Sequence, residues 1–126
     1  MIRTGDEYRE SIRDGRVVFM NGEKVPDVTT HPMFKPLVDI RARIYDMQHE
    51  AATAPVMTYH DDNNEPFSIG LKLPYTQDDW QDKRKSTDVV FDDIGGVVTR
   101  VGDETVGEMW SLYDGQDVLN QVDAQF

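Results

Sequence analysis

Two charged residues four positions apart, Arg100 and Glu104, are the pair in this 126-residue chain best suited to act on a ligand. A guanidinium presents a planar fork of donors and can hold a carboxylate or a phenolate at two points. A carboxylate becomes an acid or base near neutral pH when burial raises its pKa. Each residue also has a purely structural reading. Arg100 can pair with Asp103 or Glu104 at the surface, and a Glu in the first turn of a helix is favoured by the helix dipole.

The three histidines carry weaker signals. His31 precedes Pro32 at an expected helix start, where capping or packing is the simpler role. His49 stands alone, and His60-Asp61-Asp62 sits in a run of turn formers. Zinc wants three or four convergent ligands at recognisable spacing, so no metal site is expected. The chain has no cysteine, which removes disulfides, thiolate nucleophiles and Cys-type zinc sites together. Gly95-Gly96 matches neither the dinucleotide fingerprint nor a P-loop, and no Gly-x-Ser-x-Gly elbow occurs. Trp80, Trp110, Tyr45 and Tyr113 read as core or interface aromatics, and the methionines as gap-fillers.

The elements that must position these groups are well punctuated. Thr4-Gly5-Asp6-Glu7 is a capping box opening a short helix through Tyr8 and Ile12, with Gly15 as its stop. Val17 to Val25 reads as a hairpin turning on Asn21-Gly22, a type I′ pair, and Pro26 ends its second strand. Thr29-Thr30-His31-Pro32 opens a long amphipathic helix carrying Phe34, Leu37, Val38, Arg41, Ile44, Tyr45 and Met47 and running to about Glu50. Thr58–His60 and Phe67–Leu73 form a looser second hairpin around Asp61 to Pro66, closed by Pro74. Thr76 caps a third helix through Trp80 to about Ile94, broken at Gly95-Gly96. Asp103 caps a last segment through Val106, Met109, Trp110 and Tyr113, interrupted at Asp114-Gly115. Val118, Leu119, Val122 and Phe126 make a further apolar stripe that stops mid-pattern, a surface suited to partner contact.

The pattern predicts one mainly α domain with two small β-hairpins over residues 1–126. A net charge of -11 argues against nucleic acid and against anionic membrane surfaces. No apolar run approaches the roughly 20 residues of a membrane span, and the first residues lack an apolar signal region. A cytoplasmic location is expected.

The ordered motifs resemble the N-terminal domain of the 4-hydroxyphenylacetate 3-monooxygenase family, the oxygenase component of two-component flavin monooxygenases. The same domain occurs in 4-hydroxybutyryl-CoA dehydratase. The matching pieces are Thr4-Gly5-Asp6-Glu7-Tyr8 with Ser11 to Arg16, Asn21 to Val25, Asp27-Val28-Thr29-Thr30-His31-Pro32, Ile44-Tyr45-Asp46 and Met57-Thr58-Tyr59. After them come Leu73-Pro74, Asp78-Asp79, Lys83-Arg84, and Gly95-Gly96 leading to Arg100. No single piece is specific; their order over nearly the whole chain carries the resemblance.

The resemblance implies an acyl-CoA-dehydrogenase-like architecture of which this is the N-terminal helical domain, the middle β and C-terminal helical domains lying outside the chain. It implies reduced FAD bound mainly by those domains, a larger oxygenase subunit supplying them, a flavin reductase delivering the flavin, and an aromatic small-molecule substrate. The chain would line the substrate pocket and be inactive alone. Arg100 matches a family Arg for substrate binding, whereas Glu104 stands where phenol-hydroxylating members carry Tyr. Two other readings remain open: a subunit of a hydroxyacyl-CoA dehydratase or isomerase, and a non-catalytic binding or assembly module.

Overall fold

A computed structural model describes residues 2–96 and 103–122, the side chains of 103–105 excepted. The first helix, α1 (Gly5–Ser11), begins on a reciprocal capping box in which Thr4 takes the Glu7 backbone N–H and Glu7 takes that of Thr4. It ends at Ile12, before Gly15, whose φ of 79° instead turns the chain toward the first hairpin. That hairpin pairs β1 (Val18–Met20) with β2 (Glu23–Val25) in the register Val18 to Val25 and Met20 to Glu23. Asn21 and Gly22, at φ 52° and 84°, supply the two left-handed residues its turn requires.

The long helix, α2 (Lys35–Met47), starts later than the sequence predicts. Asp27 accounts for the delay. Its carboxylate accepts from the backbone N–H and hydroxyl of Thr29, both at 2.7 Å, and its carbonyl accepts from the backbone N–H groups of Thr30 and His31. This Asx-type turn occupies Thr29 to His31, and Pro36 rather than Pro32 takes the first helical turn. The helix also ends at Met47, and a short helix, α3 (Ala54–Met57), follows that the sequence pattern does not announce.

The second hairpin joins β3 (Thr58–His60) to β4 (Pro66–Ser68). The expected strand over Phe67–Leu73 is cut short. Ile69–Leu71 forms a 3-10 turn, and Ile69 is buried there. Then α4 (Gln77–Ile94) opens on a second capping box, Thr76 with Asp79, and closes on Gly95 in the left-handed conformation. Beyond lie α5 (Asp103–Asp114) and the single turn α6 (Gln116–Leu119).

The core sits where α2, α3 and α4 meet. Ile44, Met47, Met57 and Val90 are buried together, with Val89, Phe91 and Ile94 packed around them. Helix α1 approaches α2 so closely that the Gly5 backbone N–H donates to Asp46 at 2.7 Å, and a Cβ at Gly5 would stand 2.7 Å from the Ala42 carbonyl oxygen. Arg43 ties α2 to α4 through the carboxylate of Asp93 and binds Glu50 beyond the helix end.

Candidate functional site

Of the two residues singled out from the sequence, Arg100 lies outside the described residues. Glu104 is on the backbone of α5, and its side chain lies outside what the structure describes. The helix positions three and seven residues after Glu104 are Gly107 and Ser111, and both line a cleft.

That cleft brings together four aromatic side chains, Tyr75, Trp80, Trp110 and Tyr113. It measures about 260 Å³ and runs between the stretch entering α4 and the exposed length of α5. Leu73, Pro74, Tyr75 and Trp80 form one side; Trp110, Ser111, Tyr113 and Asp114 form the other. Capping chemistry fixes the first side. Asp79 accepts from the backbone N–H groups of Tyr75 and Thr76, at 3.0 and 2.9 Å, and from the Thr76 hydroxyl at 2.8 Å. Its second oxygen meets the Lys72 ammonium, which also lies 5.8 Å from the Tyr59 ring centroid. The Lys72 ammonium, followed by the Thr76 hydroxyl, holds the Asp79 carboxyl well below the usual carboxylate range.

Lys83 fixes the other side. Its ammonium donates to the carbonyls of Gly70 at 2.7 Å and Ile69 at 3.1 Å, and lies 4.1 Å from the centroid of the Trp110 ring. A cleft lined mainly by apolar and aromatic side chains suits an aromatic ring. It does not suit the pyrophosphate of a flavin dinucleotide, because its one charged lining residue, Asp114, is an anion. The cleft therefore fits an aromatic group and not the whole cofactor.

The remaining candidates take structural places. The His31 Nδ1 accepts from the backbone N–H of Met33 at 3.3 Å, and its ring packs on Phe34. His49 Nε2 lies 3.0 Å from the Arg3 carbonyl, which puts a proton on that nitrogen. Asp61 accepts from the backbone N–H groups of Asn63 and Glu65 and so builds the turn of the second hairpin. Tyr45 stacks on Tyr8 with centroids 5.1 Å apart. Met47 and Met57 fill the core as expected, while Met33 and Met109 are exposed. In the sequence Lys83 stands out only as a basic residue of the third helix and as part of the Lys83-Arg84 piece of the family resemblance, with no role of its own. The one available hint is its position three residues after Trp80, which places it on the aromatic side of α4.

The fold matches the oxygenase component of 4-hydroxyphenylacetate 3-monooxygenase solved with FAD and 4-hydroxyphenylacetate, with a TM-score of 0.67 and 32% identity over 72% of this chain and 19% of that one. The architecture is thus the N-terminal helical part of an acyl-CoA-dehydrogenase-like oxygenase fold. Residues 4–126 match the family described as 4-hydroxyphenylacetate 3-hydroxylase N terminal, and the chain belongs to that family. It is 33% identical over 96 residues to a 2,4,6-trichlorophenol monooxygenase of Cupriavidus pinatubonensis, covering 76% of this chain and 19% of that protein. It is 36% identical over 100 residues to the oxygenase component of a 4-nitrophenol 4-monooxygenase/4-nitrocatechol 2-monooxygenase of Rhodococcus opacus, covering 79% of this chain and 19% of that protein. The chain therefore spans about a fifth of the length of the curated relatives it matches.

Proposed function

We propose that residues 1–126 form the N-terminal domain, or a separately encoded small subunit, of a reduced-flavin-dependent monooxygenase acting on phenol-type aromatic compounds. The observation that carries this reading is the family match over residues 4–126, together with relatives that are phenol monooxygenases. The middle β and C-terminal helical domains come from the remainder of the oxygenase polypeptide or from a larger partner subunit. Reduced FAD, delivered by a flavin reductase and held mainly by those parts, activates molecular oxygen.

The work of this domain is to hold the ring and keep water from it. Arg100 binds the phenolate or carboxylate of the substrate, and α5 supplies part of the wall. Alone, the domain is inactive. No described helix is long and apolar enough to cross a membrane, and we place the complex in the cytoplasm with its reductase.

The test is turnover of 4-nitrophenol and 4-hydroxyphenylacetate by the assembled oxygenase with reductase, FAD and NADH. Arg100→Ala should raise KM or divert oxygen to peroxide by about tenfold or more, the scale of a lost charge-assisted contact. Unchanged kinetics would remove Arg100 from the site. An assembled, flavin-loaded oxygenase that hydroxylates neither phenol would remove the assignment.

A further inference from the structure

We propose that Lys83 is a positioning residue that sets the pose of α5 and, through Trp110, the wall of the aromatic cleft. Its ammonium meets the carbonyls of Ile69 and Gly70 and the face of Trp110 at once, so one charge joins the 3-10 turn, α4 and α5.

A neutral contact would not do the same work. From Val106 to Asp114, α5 has no buried residue, so deep apolar packing does not fix this described length of the helix. A half-buried ammonium has three donors and a charge that an indole face attracts. Two carbonyls on one side and the ring on the other define a direction as well as a distance. Gly107 and Trp110 to Asp114 follow that direction together, because they ride on the same helix. The Glu104 position rides there too. The consequence for catalysis rests on the monooxygenase reading above; the clasp itself rests on the geometry alone.

Two measurements separate these. In the chain carrying Trp80→Phe, Trp110 is the sole indole. Lys83→Met should then shift its emission and weaken its near-ultraviolet circular dichroism, while Lys83→Arg, which can still stack on the ring and donate to a carbonyl, keeps both near the parent values. In the assembled oxygenase, Lys83→Met should raise KM for 4-nitrophenol about tenfold with kcat changed less than about twofold, and Lys83→Arg should recover most of the loss. An unaltered Trp110 signal in Lys83→Met overturns the clasp. An altered signal with unaltered KM overturns the positioning role. An unmutated oxygenase that leaves phenols untouched fails the enzymatic reading separately, and the Trp110 signal still decides the clasp.

Discussion

Among the described residues, Asp79 gathers more of the local structure than any other carboxylate, taking two backbone N–H groups, a hydroxyl and the Lys72 ammonium. Those partners favour the ionised form in the fold, so its folded pKa lies below its unfolded value. The stability this contributes is present above the unfolded pKa of about 4 and is lost as pH falls toward the folded pKa. Asp79→Asn should therefore lower stability at neutral pH and flatten the acid side of the profile below about pH 4, read by circular dichroism. An acid limb identical to that of the parent would show that Lys72 and Thr76 do not hold this carboxylate. Glu104 gives a prediction about specificity. Replacing it by Tyr, the residue the family resemblance leads one to expect at this position, exchanges an anion for a neutral donor. In the assembled oxygenase, Glu104→Tyr should strengthen 4-hydroxyphenylacetate binding by about tenfold, measured as KM or by titration. Weaker binding would place Glu104 in productive contact with substrate.

At the scale of elements, the starts of α1 and α4 and the turn of the first hairpin were the most legible parts of the sequence. Thr4 with Glu7 forms the reciprocal box its spacing predicts, Thr76 caps its helix as predicted and does so through a second reciprocal box with Asp79, and Asn21-Gly22 sets the first hairpin. Such signals work because donor, acceptor and backbone angle all lie within a few residues. Thr76→Ala should cost about 1 kcal/mol of stability by thermal unfolding, the ordinary worth of an N-cap. What could not be read locally depended on competition or packing. The Asp27 turn outcompetes helix at Thr29 to His31, and burial of Ile69 converts an expected strand into a 3-10 turn. The approach of α1 to α2 is of this second kind. A methyl at Gly5 would meet Asp46 and the Ala42 carbonyl, so Gly5→Ala should destabilise by about 1–3 kcal/mol, although alanine is the better helix former. Neutral or raised stability would mean that the two helices can separate freely at that point.

On the scale of the whole molecule, a small core coexists with a long exposed apolar surface. Ile44, Met47, Met57 and Val90 are sealed between α2, α3 and α4, whereas Tyr75, Trp80, Met109, Tyr113, Val118 and Val122 stand in solvent. The terminal apolar stripe was visible in the sequence as helical spacing; of its described members, the structure leaves Val118 and Val122 exposed and Leu119 partly buried. The cleft was not visible, because Tyr75 and Trp80 reach Trp110 and Tyr113 only through the packing of α4 and α5. A surface of this composition fits the proposal that this domain packs against other protein. Trp80, at 59% exposure, should accordingly shift its emission to the blue when this domain joins the rest of the oxygenase. The central claim is that this domain works inside a larger flavin monooxygenase, and native mass spectrometry of the protein from its own source tests it most directly. The account predicts a species containing a polypeptide of several hundred residues, in one chain with this domain or bound to it, that takes up reduced FAD. A lone 14.5 kDa species indifferent to reduced flavin would contradict it.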